Sequence, residues 1–285
     1  MTAPITSPKQ GAPIASPPAW STRWTPLTHE PTVEEMQALF EQLTYADIAK
    51  TIDHSLLRPE LDDAFIADNL QLAADYHVAS ATMRPADVER AVAALKGSSV
   101  LVGTVVGFPH GNHLTSVKVF ETERALEQGA QEIDMVIQIA ALKSGRDEDV
   151  AADIRAVVDA AHGAGALVKV IFENAYLTDD EKVRACRLCE GAGADFVKTS
   201  TGFAPTGATH EDLMLMRANT TPPTQVKAAG GVRTLDALLA VMCLGVTRIG
   251  ATATKPILDD FKARKANANT DAAGITGGAL EQGTY

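Results

Sequence analysis

Eight times along the chain, a short apolar run rich in β-branched residues gives way to a longer amphipathic stretch and then to a turn marked by glycine or proline. The apolar runs lie at 50–54, 77–83, 99–106, 132–137, 167–172, 196–199, 224–228 and 246–250. Amphipathic stretches between them include 87–95, 116–128, 149–162, 180–190, 210–217 and 235–244. Strands joined through helices pair in parallel, because parallel neighbours need a crossover connection. Gly-Ala pairs precede several runs, at 129–130, 163–166 and 191–194. Glycine is the habitual stop after a helix, so these read as turns. None completes G-x-G-x-x-G between a strand and a helix, which argues against a dinucleotide site. Eight βα units in roughly 220 residues predict a closed (β/α)8 barrel of the α/β class, with a doubly wound open sheet as the alternative.

Length alone, 285 residues, would suggest two domains, but barrels of about 250 residues are single domains. The expected organisation is a flexible N-terminal arm over 1–31, a barrel over 32–265 and a mobile C-terminal tail over 266–285. The arm is rich in Pro, Ser and Ala and lacks the pattern of a signal peptide. The tail is mostly small residues, although it ends in Tyr285. A net charge of -11 argues against nucleic acid or an anionic membrane as partner. No run of 18 apolar residues offers a membrane span. Three cysteines are too few for a disulfide framework, so a cytoplasmic protein is expected. Cys186 and Cys189 form a C-x-x-C, but on a helix such a spacing only shares a face, and no redox site is read there.

In a barrel of this kind chemistry sits at the C-terminal ends of the strands. Polar residues expected near those ends are Asp53 and His54, Thr82, Asp134, Lys169, Lys198, Lys227 and Gly250. Lys198 and Lys227 are each embedded in apolar sequence, on what would be adjacent strands. Two ammonium groups in one cavity disfavour each other's charge, and burial adds to the effect. At least one is then a free amine near neutral pH and can form a Schiff base with a carbonyl. The alternative is that each lysine reaches out to a carboxylate. Asp134, in Glu-Ile-Asp-Met-Val, is costly in an apolar strand unless paired, and is read as a proton carrier or a structural ion-pair partner. Lys169 can orient a carboxylate or lower a neighbour's pKa. Asp53 can hold Lys227 or bind a substrate hydroxyl.

A phosphate site is expected beside them. Gly230 and Gly231 follow strand seven and Gly250 closes strand eight, each just before a helix start. Amides freed by glycine at helix N-termini bind anions, and these two loops are the habitual phosphate position of the fold. Ser200, Thr201 and Gly202 can close the site from strand six. His110 and His113 lack a third metal ligand and read as a loop motif, so no metal is expected.

Six motifs, IDHSLLRPE (52–60), VGFPHGN (106–112), EIDMVI (132–137), LVKVIFE (167–173), DFVKTSTGF (195–203) and VKAAGGVRT (226–234), carry a family resemblance. The chain resembles the deoxyribose-phosphate aldolases, which are class I aldolases, from about Ala46 to Ala253. The resemblance implies that Lys198 is the Schiff-base lysine, that Lys227 perturbs its pKa and that Asp134 relays protons. It sets Gly202, Gly230, Gly231, Arg233 and the Gly250 loop with Thr252 around a substrate phosphate, and offers Tyr285 as an aid to proton transfer. The implied reaction is reversible cleavage of 2-deoxy-D-ribose 5-phosphate to acetaldehyde and D-glyceraldehyde 3-phosphate. No cofactor is expected, because a protonated imine is itself the electron sink. The implied partner is the phosphosugar, with a homodimer or a monomer as the assembly. Three positions depart from the family pattern: Thr82 where many members have cysteine, Ala253 where a second hydroxyl is usual, and Ala228-Ala229 before the paired glycines. Two rivals to an aldolase are another barrel enzyme, an isomerase or a transaldolase-like one, and a phosphosugar-binding protein whose lysines are cationic clamps.

Overall fold

The computed structural model describes residues 16–267 and 274–282. Its strands are β1 (Ile52–Leu56), β2 (Ser80–Met83), β3 (Leu101–Val106), β4 (Glu132–Val136), β5 (Leu167–Ile171), β6 (Phe196–Lys198), β7 (Gln225–Ala229) and β8 (Val246–Ala251). They pair in chain order, all parallel, and β8 closes on β1 with Asp53 opposite Gly250. The expected (β/α)8 barrel is therefore the fold, and the β1–β8 pairing excludes the open sheet. Register sets Lys198 opposite Lys227, and Asp134 opposite Lys169. Paired residues of parallel strands share a face, so one set of side chains fills the barrel.

Four strands, β1, β2, β3 and β7, begin later than the sequence suggests, two of them for plain local reasons. β1 starts at Ile52 rather than 50 because Tyr45–Ala49 forms a short helix, capped reciprocally by Thr44 and Asp47 and ending at Lys50. β2 starts at Ser80 rather than 77 because His77 adopts a left-handed conformation (φ 54°) in the turn after Asp63–Asp75. That helix and Val33–Gln42 and Thr254–Ala266 went unread in the sequence.

Residues 16–31, expected as part of a flexible arm, lie on the barrel where they are described. Trp20 is 2% exposed, and Trp24 Nε1 and the Leu27 amide both donate to the Cys243 carbonyl. The reason lies in the helix Leu235–Cys243, whose nine residues are all buried. A helix that is apolar on nearly every face must be covered on every face. The barrel covers one side, and Val33–Gln42, Thr254–Ala266, the arm and residues 274–282 add to the cover. Residues 274–282, expected as part of a mobile tail, hold this helix through Thr276, whose amide and hydroxyl both donate to Asp236. No described helix is long and apolar enough to cross a membrane.

Candidate active site

The interior of the barrel holds a buried ionic cluster: Asp53 from β1, Glu132 and Asp134 from β4, Lys169 from β5, Lys198 from β6, Lys227 from β7 and Arg248 from β8. Asp134 Oδ2 accepts from Lys198 Nζ and from Lys227 Nζ, each at 2.8 Å. Its other oxygen accepts from Lys169 Nζ at 2.9 Å. Lys169 also donates to Glu132 at 2.7 Å, and Lys227 also donates to Asp53. Arg248 bridges Asp53 and Glu132 with its two terminal nitrogens.

This cluster has four cations and three carboxylates, so full ionisation would leave one surplus positive charge (4 − 3 = +1) without water to solvate it. An unpaired buried charge is relieved by shedding its proton. The side chain that loses it most readily is Lys227. Burial pushes its pKa down to about 8 against the opposing pull of Asp134 and Asp53, and the nearby Lys198 and Lys169 charges add to the effect. Burial also works to lower Lys169, but Asp134, Asp53 and Glu132 outweigh it and raise its pKa. For Asp134, burial is overcome by Lys169, Lys198 and Lys227, which hold the carboxyl far below its usual range. Asp53 is held low likewise, by Arg248, Lys169 and Lys227 against the effect of burial. The cluster is thus a carboxylate held ionised between two lysines, one of which parts with its proton near neutrality.

A cavity of about 550 Å³ opens above β7 and β8. Gly202, Gly230, Gly231, Arg233, Gly250 and Thr252 line it, with His54 and Asn69 across from them. Gly250 joins cavity to cluster, since a Cβ there would stand 3.7 Å from Lys227 Cε. The Gly230 backbone has φ +80°, and its missing Cβ would meet Gly207 Cα at 2.8 Å, so no larger residue fits the crossing of these two loops. The helix Thr254–Ala266 points its first turn toward the same loops. Ala253, at its N-cap, supplies no side-chain cap, which leaves the Thr254 and Lys255 amides for an anion, while Pro256, third in the helix, has no N–H to offer. Thr82 shares a face with Asp53 by register, and its buried hydroxyl has no partner, as is also true of Ser200. Thr201, expected to close the phosphate site, is buried and does not line the cavity; its hydroxyl donates to Glu173. Tyr285 falls outside the described residues.

Three residues of this region escaped the sequence reading. Glu132 and Arg248 complete the ionic cluster. Glu173, just after β5, adopts a left-handed φ of 57° and is 2% exposed. A glutamate held in that conformation costs about 1 kcal/mol or more, which its surroundings must repay. Its carboxyl accepts from both the amide and the hydroxyl of Thr201, and so ties the exit of β5 to the loop that carries Gly202. A period-two count would have found Glu132, two residues from Asp134 on the same face. Cys186 and Cys189 are free and buried in Asp179–Ala192, and burial raises both thiols, Cys186 to about 12. Among the described residues no group of three or more His, Cys, Asp or Glu is placed to hold a metal ion.

Comparison with known proteins agrees with this geometry. The family model described as DeoC/LacD family aldolase matches residues 48–253. Deoxyribose-phosphate aldolase 2 of Bacillus licheniformis is 53% identical over 206 residues, 72% of this chain and 92% of that protein. The deoxyribose-phosphate aldolase of Bacillus subtilis is 52% identical over the same length, again 72% and 92%. Among solved structures, the deoxyribose phosphate aldolase from Aeropyrum pernix superposes with a TM-score of 0.75 at 29% identity, covering 82% of this chain and 99% of that one. An eight-stranded barrel with buried lysines astride one carboxylate, and likenesses of this extent, lead to one conclusion: the chain belongs to the DeoC/LacD family of aldolases, with the deoxyribose-phosphate aldolases.

Proposed function

We propose that this aldolase cleaves 2-deoxy-D-ribose 5-phosphate reversibly to acetaldehyde and D-glyceraldehyde 3-phosphate, through an imine on Lys198. The observation that carries this reading is Asp134 Oδ2, which stands 2.8 Å from the amines of both Lys198 and Lys227. One carboxylate oxygen touching both amines is a path for a proton between them. Lys227, with its proton loosened, draws the proton of Lys198 through Asp134. The free Lys198 amine then adds to the C1 aldehyde, and loss of water gives the iminium. The C3 hydroxyl gives its proton to Asp134 or a water it holds. The C2–C3 electron pair flows into the iminium, leaving an enamine on Lys198 and the carbonyl of glyceraldehyde 3-phosphate. Protonation of the enamine at C2 and hydrolysis of the imine release acetaldehyde and restore the amine. Lys169, Asp53, Glu132 and Arg248 hold this pair of lysines and their carboxylate in place.

In this reading the phosphate lies on the amides of Gly202, Gly230, Gly231 and the first turn of Thr254–Ala266, with Arg233 at the rim. Support comes from the cavity these residues line, from the uncapped helix, and from the family. Tyr285 is kept as a candidate aid to proton transfer. The arm over 1–31, the barrel over 32–265 and the tail over 266–285 are kept as the division of the chain. The buried free thiols accord with a cytoplasmic location. The assembly is proposed as a monomer or homodimer, while the Aeropyrum pernix relative is described as having a unique tetrameric structure.

Borohydride reduction in the presence of acetaldehyde, followed by peptide mass mapping, tests the imine. An ethyl adduct on Lys198 that requires acetaldehyde is the expected result. An adduct on another lysine, or none on folded protein, would sink the assignment. The proton path has its own signature. Since Lys227 must be unprotonated to accept, kcat/KM for the cleavage should rise with pH through about 8 and level off above it. Lys227→Met should remove that limb from the profile, and a limb that persists in the variant would place the titrating group elsewhere.

A further inference from the structure

The stretch 274–282 runs against the cavity wall at Gly231, and one of its side chains occupies a group the phosphate would want. Ile275 is buried, and Thr276 is pinned to Asp236. Farther along, the Glu281 amide donates to the Gly231 carbonyl at 3.1 Å. Gln282 takes the Gly207 amide on its side-chain oxygen and donates to the Ala208 carbonyl. These contacts lay the tail on the two glycine loops that meet at Gly230. Gly231 has φ +99°, and a Cβ on it would come within 2.8 Å of the Glu281 carbonyl, so the close approach depends on glycine. So placed, the Glu281 carboxylate accepts from Arg233 Nη1 at 2.8 Å.

We propose that Glu281 is an internal competitor at the candidate phosphate site: its carboxylate occupies Arg233 and must be displaced before an anion can take the guanidinium. The inference rests on the phosphate reading given above. A phosphate carries close to two negative charges at neutral pH and three acceptor oxygens, against one charge on the glutamate, so it outbids the carboxylate for the guanidinium. Any anion that takes Arg233 must displace the tethered carboxylate first, so the competition weakens apparent affinity by one common factor. The pair is half-exposed, at 46% for Arg233 and 53% for Glu281, so its strength is modest and it opens easily.

The test is calorimetric titration of the full chain with inorganic phosphate and, separately, with acetate. Wild type, Glu281→Gln, Arg233→Ala and the double variant are compared. Glu281→Gln should bind phosphate about two- to five-fold more tightly, the span that an exposed ion pair's strength allows. Acetate, which must displace the same carboxylate from Arg233, should gain by the same factor. In the Arg233→Ala background the Glu281 substitution should change nothing, which a merely structural role of the tail would not produce. Equal phosphate affinity in wild type and Glu281→Gln would overturn the proposal, as would a gain that survives the loss of Arg233. Absence of phosphate binding in all four proteins would refute the phosphate site and this inference together. Acetaldehyde trapping on Lys198 needs no phosphate, and so reports separately whether the imine reading stands.

Discussion

Lys198→Ala should lower kcat for the aldol cleavage by roughly 10⁴-fold or more, and should abolish borohydride trapping, while leaving the melting temperature nearly unchanged. The loss of activity follows from removing the only amine assigned to the substrate carbonyl. The retention of stability follows from the cluster. Asp134 keeps Lys227 at 2.8 Å and Lys169 at 2.9 Å, so no carboxylate is left bare. The charge count also becomes even, three cations against three carboxylates. A variant that stays folded and loses its chemistry separates a nucleophile from a structural ion pair, because loss of a buried structural partner costs about 3–5 kcal/mol. Retention of kcat within tenfold of wild type would contradict the assignment and turn attention to Lys227. The cationic-clamp alternative predicts weaker substrate binding in this variant, with no covalent adduct in either protein.

Much of this site was readable from single strands. Lys198 and Lys227 stand out because each lysine interrupts an apolar run, and the βα repeat makes their strands neighbours, as the register shows. Asp134 stands out for the same reason on the opposite sign. What escaped was whatever depends on partners from distant strands. Nothing in Val-Thr-Arg-Ile-Gly names the partners of Arg248, which are Asp53 on β1 and Glu132 on β4 across the interior. Glu173 sits beyond the end of its strand, where no periodicity says which way it turns, and its left-handed backbone is set by the loop it supports. The tail misled for a different reason. Its small residues promise little buried area, yet its hold comes from hydrogen bonds of Thr276 to Asp236 and of the Glu281 amide to the Gly231 carbonyl. Composition counts apolar area and is blind to that.

Arg248 also yields the second large effect. Arg248→Met should cost about 3–5 kcal/mol of stability, because one oxygen each of Asp53 and Glu132 loses its donor in a dry interior. In a barrel of this size that is a fall in melting temperature of roughly 6–20 °C, measurable by calorimetry. Methionine fills the space but offers no hydrogen bond, and the guanidinium's place 5.9 Å from the Phe196 ring is lost as well. The same substitution removes the surplus positive charge of the cluster. Arginine cannot shed its proton, so in the wild type the relief falls on a lysine. With Arg248 gone, three lysines face three carboxylates, and Lys227 has less reason to part with its proton. Its pKa should climb from about 8, since one cation fewer then shares the interior and Asp53 is left to Lys227 and Lys169. The rising limb of kcat/KM should move to higher pH with it, and activity at pH 7 should fall about tenfold for each pH unit the limb moves, although Arg248 meets no substrate. An unchanged melting temperature together with an unmoved limb would mean that the charge balance of the barrel does not govern the lysine, and the proton path through Asp134 would then need another source for its free amine.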